Sequence, residues 1–108
     1  MYKLFISQPM KDKSEEEIRT EREDAVKEAK KALGTDDVEL IDSYIPDTAP
    51  KDSVEALWCL GRSLEMLSKA DIAYFAPGWS NARGCKLEYE AANKYGIKVI
   101  ACADEKGV

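Results

Sequence analysis

Residues 71–102, DIAYFAPGWSNARGCKLEYEAANKYGIKVIAC, contain the pattern that decides the fold. The apolar run over 71–76 is typical of a buried strand, and residues 97–102 form a second run of the same kind. Between them lie a turn over 77–83 and a helical pattern that reaches about Tyr95. A strand, a helix and a strand in this order predict a parallel βαβ unit.

The earlier part of the chain repeats this alternation. We expect a strand over 2–7 and then a helix over 14–33, which the Ser14–Glu17 capping box opens and Gly34 ends. These are followed by a strand over 38–41, a loop over 42–50, and a helix from Asp52 or Ser53 to about Lys69. Right-handed crossovers would place the strands in the order 2-1-3-4. The sequence therefore predicts one α/β domain over 1–108, a flavodoxin-like or Rossmann-like three-layer sandwich with helices on both faces of a parallel sheet.

Composition narrows the class of protein. The chain has 108 residues, 44% of them hydrophobic, and a net charge of −5, so we expect no nucleic-acid polymer and no membrane as partner. A small nucleotide stays compatible with this charge, because backbone N–H groups and one Arg suffice to hold it. With three Cys and no His, we expect no metal site, no cofactor and a reducing cytoplasmic location. We also expect no signal peptide and no membrane span, since the opening pattern and the apolar runs are too short.

Glu88 interrupts the apolar side of the last helix. At 100° per residue it shares that side with Gly84, Ala91, Ala92 and Tyr95. A carboxylate there costs several kcal/mol in desolvation, on the order of 2–7 kcal/mol or more, unless it is paired or kept near solvent. Two interpretations follow: Glu88 works in a binding crevice, or it is a structural group paired with an Arg or with backbone amides.

Ligands of open parallel sheets bind beyond the carboxyl ends of the strands, where the strand order reverses. In the predicted order this crevice lies between the first and third strands, so the loops that begin at Gln8 and Pro77 frame it. The candidate ligand-binding residues are Ser7, Gln8, Pro9, Met10, Trp79, Ser80, Asn81, Arg83 and Gly84.

Several of these candidates have an ordinary structural alternative. Trp79 would either stack on a ring of the ligand or pack against the surface. Arg83 would either bind an anion beside the helix N-terminus or stay solvated, and Ser80 or Asn81 would serve as the N-cap.

Other polar groups near the crevice have alternatives too. Ser7 and Gln8 would either bind a ligand or make turn contacts. Asp42, a possible second carboxylate, and Asp47 follow the second strand and would otherwise be solvated loop residues.

Three blocks of the chain resemble the nucleoside 2-deoxyribosyltransferase-like superfamily, in particular its small phage and bacterial branch. The first is Phe5-Ile6-Ser7-Gln8-Pro9-Met10, similar to an I-S-G-P-M start with Gln8 in place of the glycine. The second runs from Arg62 to Asp71. The third, from Gly78 to Glu88, is similar to the G-W-x-x-S-x-G-A-x-x-E signature.

The resemblance implies a specific chemistry. Glu88 matches the family's nucleophilic glutamate, which attacks the anomeric carbon of a nucleoside or nucleoside monophosphate and releases the base. The loop after the first strand would contact base or sugar, Trp79 would border the base pocket, and Arg83 or the helix N-terminus would meet a 5′-phosphate. The acidic residue expected near the end of the second helix is replaced by Arg62-Ser63. A non-catalytic nucleotide-binding module of the same fold is the alternative, and members commonly form homo-oligomers.

Overall fold

The computed structural model describes residues 1–42 and 48–102, so Asp47 lies outside the described residues. The strands are β1 (Tyr2–Ser7), β2 (Val38–Leu40), β3 (Ile72–Phe75) and β4 (Lys98–Ala101). The α-helices are α1 (Glu15–Leu33), α2 (Glu55–Leu67) and α3 (Arg83–Lys94), and a 3-10 turn covers Trp79–Asn81.

The strands form a four-stranded parallel sheet in the order β2-β1-β3-β4, which confirms the predicted topology. Ser7 and Phe75 are register partners at the carboxyl ends of β1 and β3. The N–H of Ala76 continues this pairing by donating to the Ser7 carbonyl at 3.0 Å. The loops that follow β1 and β3 therefore leave the sheet side by side, at the point where the strand order reverses.

The alternation of side chains along β1 divides the core between the two faces of the sheet. Leu4 and Ile6 belong to one apolar cluster, which includes Ala25 and Ala29 of α1. Phe5 belongs to the other cluster, whose further members are Leu67 of α2, Ala73 and Phe75 of β3, and Ala92 of α3. The helix α1 thus covers one face, and α2 and α3 cover the other.

The start of α1 follows the sequence expectation, whereas the starts of α2 and α3 do not. Ser14 and Glu17 form the complete capping box, and Gly34 ends α1 in the left-handed conformation with φ 69°. At α2 the expected cap at Asp52 or Ser53 is wrong. The Ser53 hydroxyl instead donates to the carbonyl of Pro50 at 2.6 Å.

The expected N-cap at Ser80 or Asn81 is also wrong. These residues belong to the 3-10 turn, and Ala82 takes the cap position of α3 without a side-chain hydrogen bond. The strand β1 has its predicted ends, whereas β2 ends one residue early and β3 and β4 are each one residue shorter than predicted at both ends. Within the described residues, no helix combines the length and apolar character that crossing a membrane requires.

Candidate active site

A buried hydrogen bond joins the end of β1 to α3. The Ser7 hydroxyl donates to Glu88 Oε1 at 2.6 Å, and the exposed fractions of the two residues are 2% and 7%. They are the buried polar residues among an otherwise apolar set of described core residues. Ser7 is the last residue of β1, so the strand fixes the position of its hydroxyl opposite the helix.

The burial of Glu88 changes its acid–base behaviour. Burial raises the pKa of the Glu88 carboxyl above its ordinary value, and the hydrogen bond from Ser7 lowers it in part. Glu88 forms no ion pair with another described residue. Among the described residues, therefore, no Arg neutralises Glu88 in the way that the structural interpretation expected.

Glu88 and Ser7 lie in the wall of a cavity of about 350 Å³ at the carboxyl edge of the sheet. This volume falls in the range of small-molecule sites, roughly 300–1,000 Å³. Both faces of the sheet contribute to the cavity, since α1 supplies one wall and α2 and α3 supply the other. The lining residues are Phe5, Ile6, Ser7, Gln8, Met10, Arg22, Ala56, Cys59, Leu60, Ser63, Ala82, Gly84, Cys85 and Glu88.

Gln8 is held in the cavity wall by its amide nitrogen. The Nε2 group donates to the Ile18 carbonyl at 3.0 Å and to Glu21 Oε1 at 2.9 Å. Its Oε1 atom is buried and has no hydrogen-bond partner among the described residues. A buried acceptor without a donor is unfavourable by about 1–3 kcal/mol.

The loop after Gln8 is held in place by Lys13. The Nζ group of Lys13 donates to Glu21 Oε1 and to the Pro77 carbonyl, each at 2.8 Å. The side chains of Lys13 and Glu21 are 14% and 15% exposed, so this ion pair is largely shielded from water. It connects the β1 loop, the helix α1 and the β3 loop around the mouth of the cavity.

Five of the residues singled out from the sequence meet at this cavity. Its lining includes Ser7, Gln8, Met10, Gly84 and Glu88. Pro9 does not line the cavity but faces Gly78, which has φ 91°. A Cβ atom added at Gly78 would lie 3.7 Å from Pro9 Cγ. Pro9 thus packs against the turn after β3.

Trp79 lies outside the cavity lining, on the apolar side of α3. Its ring stacks on Tyr89 with centroids 4.4 Å apart and meets the edge of Phe75 at 5.9 Å. Its Nε1 group donates to the Cys102 carbonyl at 2.9 Å. The structure therefore places Trp79 outside the cavity, partly buried against the apolar cluster that α3 covers, and not at the surface as the structural alternative had it.

The remaining candidates also lie elsewhere. Ser80, Asn81 and Arg83 line a separate surface depression, and Arg83 is exposed. Asp42 is exposed and is absent from the residues that line the cavity. The described lining thus includes Glu88 as its one carboxyl group.

Arg22 is the most informative lining residue that the sequence reasoning missed. Ile18, Ala25 and Ala29 follow the helical spacing of one face, and Arg22 fills the gap in that stripe. Arg22 thus interrupts the apolar side of α1 as Glu88 interrupts the apolar side of α3. Arg22 therefore could have been found from the sequence.

Two thiols and a hydroxyl were missed as well: Cys59 and Ser63 of α2 and Cys85 of α3. Burial raises the pKa of the Cys85 thiol, and the nearby charge of Glu88 raises it further against the opposing effects of Ser7 and Lys13. Cys85 is consequently a neutral thiol at neutral pH and a poor nucleophile. In the described part of the chain no three His, Cys, Asp or Glu side chains come together as a candidate metal site.

Comparison with known proteins identifies a family without assigning a function. No curated protein and no solved structure matches the chain significantly. One family model matches residues 2–101, which includes all of the cavity lining. The chain therefore belongs to the family described as Domain of unknown function (DUF4406).

Proposed function

We propose that the protein cleaves or transfers the N-glycosidic bond of a deoxynucleoside or its monophosphate, with Glu88 as nucleophile. The observation that carries this proposal is the Ser7–Glu88 hydrogen bond of 2.6 Å in the wall of a ligand-sized cavity. A structural carboxylate would be expected to sit in a closed ion pair, and Glu88 has none with the described residues. The resemblance of residues 78–88 to the transferase signature supports the same role.

The two carboxylate oxygens of Glu88 have different roles in this proposal. Oε1 accepts the Ser7 hydroxyl, which fixes the plane of the carboxylate. Oε2 has no hydrogen bond with another described residue and is the atom that attacks. An oxygen–carbon bond forms at the anomeric carbon, the carbon–nitrogen bond breaks with its electron pair on the base, and the base takes up a proton from solvent water.

The second step releases the sugar from Glu88. Water attacking the glycosyl ester gives a hydrolase, and a second base attacking it gives a transferase. The Ser7 hydrogen bond serves this step, because it stabilises the departing Glu88 carboxylate and opposes the rise in pKa that burial causes. Gly84, one turn before Glu88 on the same face, has no atom within 4 Å of an added Cβ and leaves room for the sugar.

A specific observation favours a second candidate, a module that binds nucleotides without turnover. The described cavity lining includes no carboxyl group besides Glu88, so no described carboxyl is placed there to protonate the leaving base. Ser63 lines the cavity where the resemblance would have placed an acidic residue. Binding of a nucleotide with no product would select this candidate.

The two candidates are separated by measuring free base. The purified protein is incubated with each common deoxynucleoside and its 5′-monophosphate, and released base is quantified by chromatography. We expect release from the wild type and a loss on the order of 10⁴-fold or more in Glu88→Gln. The matched control is Glu90→Gln, because Glu90 lies on the same helix with its side chain 65% exposed. Release that survives Glu88→Gln would remove the nucleophile from the proposal.

Self-association and location are part of the proposal. A groove between α2 and α3 exposes Val54, Leu57 and Leu87 by 69%, 65% and 45%, and Cys59 and Gly84 line both this groove and the cavity. An apolar surface next to the cavity suits a second copy of the chain, which would form a homo-oligomer and complete the wall. Light scattering should show a dimer or larger assembly that Leu57→Glu dissociates.

The free thiols Cys59, Cys85 and Cys102 support a cytoplasmic location.

A further inference from the structure

The α1 wall of the cavity carries a cation that has no partner among the described residues. Arg22 lines the cavity, is half-buried, and makes no ion pair or hydrogen bond with another described residue. It is also the one cationic side chain in the described lining. A guanidinium removed in part from water is stabilised when it finds an anion with bidentate geometry, so this placement points to a ligand.

The neighbouring carboxylate, Glu21, pairs with Lys13 and not with Arg22. Glu21 accepts hydrogen bonds from Lys13 at 2.8 Å and from Gln8 at 2.9 Å through the same oxygen. The Oε1 atom of Glu21 is thus shared by Lys13 and Gln8, whereas Arg22 takes no part in this network and lines the cavity. The chain has a net charge of −5, so its surface as a whole repels anions. An Arg in the cavity that has no partner among the described residues would attract an anionic group of a ligand to this place.

Arg22 and Glu88 stand on opposite walls. The helix α1 packs on the sheet face that carries Leu4 and Ile6, whereas α3 packs on the face that carries Phe5 and Phe75. A ligand that fills the cavity therefore presents one end to Glu88 and the other to Arg22. Arg83, the anion-binding candidate from the sequence, is exposed and does not line this cavity.

We infer that Arg22 binds the phosphate of the substrate, so that the substrate class is a nucleoside monophosphate and not a free nucleoside. This inference rests on the proposed function for the identity of the ligand's other end. The phosphate is held as a monoester through the charge-assisted donors of the guanidinium and takes no part in bond breaking. Its contribution is to orient the sugar so that the anomeric carbon faces Glu88.

The test separates binding from turnover by using the Glu88→Gln background. Dissociation constants for a deoxynucleoside and its 5′-monophosphate are measured by calorimetry in this background, with and without Arg22→Gln. We expect the monophosphate to bind on the order of 10- to 100-fold more tightly than the nucleoside, and Arg22→Gln to abolish that preference. Arg22→Lys should retain part of it, because the charge remains and the bidentate geometry is lost.

The matched control is Arg19→Gln, which removes the same charge from the exposed side of α1. It should leave the preference intact, whereas an equal loss in both variants would mean general electrostatic attraction and would overturn the inference. Equal affinities for nucleoside and monophosphate, or a preference that survives Arg22→Gln, would also overturn it. Circular dichroism of each variant verifies the fold.

The result is distinguishable from the fate of the proposed function. An Arg22-dependent preference without release of base by the wild type would support the phosphate site and reject the enzyme. Release of base from free nucleosides, unaffected by Arg22→Gln, would support the enzyme and reject the phosphate site.

Discussion

Ser7 Oγ and Glu88 Oε1 are 2.6 Å apart although 81 positions separate the two residues in the chain. The parallel sheet makes this possible, since Ser7 ends β1 at the edge that α3 crosses. The same pairing offsets part of the desolvation of Glu88 with a neutral donor and not with a counter-charge. The carboxylate therefore stays available to a ligand in the cavity.

The hydroxyl of Ser7 can be removed with little change in volume. In Ser7→Ala, the buried carboxylate loses its donor, so we expect the free energy of unfolding to fall by about 1–3 kcal/mol at pH 7. The pKa of Glu88 should rise further, because the Ser7 hydrogen bond is what lowers it. Urea denaturation and the pH–rate profile measure the two effects, and the acid limb of the profile should move to higher pH.

Ser68→Ala is the control for this change. Its hydroxyl is on an exposed residue and donates to the Glu65 carbonyl at 2.5 Å, so neither the cavity nor the pH profile should be affected. An unchanged acid limb in Ser7→Ala would mean that the hydrogen bond does not tune Glu88.

The stability of the protein should depend on the charge of Glu88. Because its folded-state pKa is raised above the ordinary value of 4.5, the folded protein binds this proton more tightly than the unfolded chain does. The contribution is thus fully present below pH 4.5 and is lost as pH rises through the folded-state pKa. We expect Glu88→Gln to have a higher Tm than the wild type at pH 8 and a Tm gain that shrinks toward pH 4.

Thermal melts of Glu90→Gln provide the comparison. Glu90 is exposed and pairs with Lys94 at 3.6 Å, so the Tm of this variant should show no gain that grows with pH. A constant difference between Glu88→Gln and the wild type across this pH range would argue against a raised Glu88 pKa.

The Lys13–Glu21–Gln8 network holds the loop at the cavity mouth. Removing the shared acceptor in Glu21→Ala leaves both donors without it, and we expect a loss of about 2–3 kcal/mol in the free energy of unfolding. Ligand affinity should fall as well, because Gln8 and Lys13 position the β1 loop.

Glu65→Ala is the appropriate reference for that loss. The Arg62–Glu65 pair is 3.6 Å apart with side chains 41% and 64% exposed, so its removal should cost no more than about 1 kcal/mol. Similar destabilisation in the two variants, measured by urea denaturation, would mean that the network does not hold the loop.

The packing of Trp79 in the structure differs from the base-pocket role that the resemblance implies. Trp79→Phe keeps an aromatic ring but removes the donor to the Cys102 carbonyl, so we expect a loss of about 1 kcal/mol in stability and an unchanged KM. Thermal melts and steady-state kinetics test the two parts. A raised KM with an unchanged Tm would instead place the ring against the substrate.

Much of the fold could be predicted because local patterns and tertiary packing agree. The Ser14–Glu17 capping box and the apolar runs around residues 72–75 specify elements without long-range information. Right-handed crossovers then leave one strand order, and the edge where β1 and β3 end follows from it. Ser7, Gln8 and Glu88 could be brought together on these grounds alone.

The rest of the site depends on how each element is rotated. The 3-10 turn over Trp79–Asn81 directs Trp79 onto Tyr89, and a sequence pattern does not specify that rotation. Arg83 precedes Gly84 by one position, which at 100° per residue is enough to move it from the cavity to the outer surface. The side chains of Cys59 and Ser63 face the cavity only because α2 packs against α3, a contact without a local signal.

The nucleophilic role of Glu88 is tested most directly by mass spectrometry of the acid-quenched reaction. The wild type is mixed with a deoxynucleoside 5′-monophosphate, quenched within the first turnover, digested and searched for a sugar-phosphate adduct. We expect the adduct on the peptide that carries Glu88 and its absence in Glu88→Gln. Release of base with no adduct on that peptide, or undiminished release by Glu88→Gln, would contradict a glutamate nucleophile at this position.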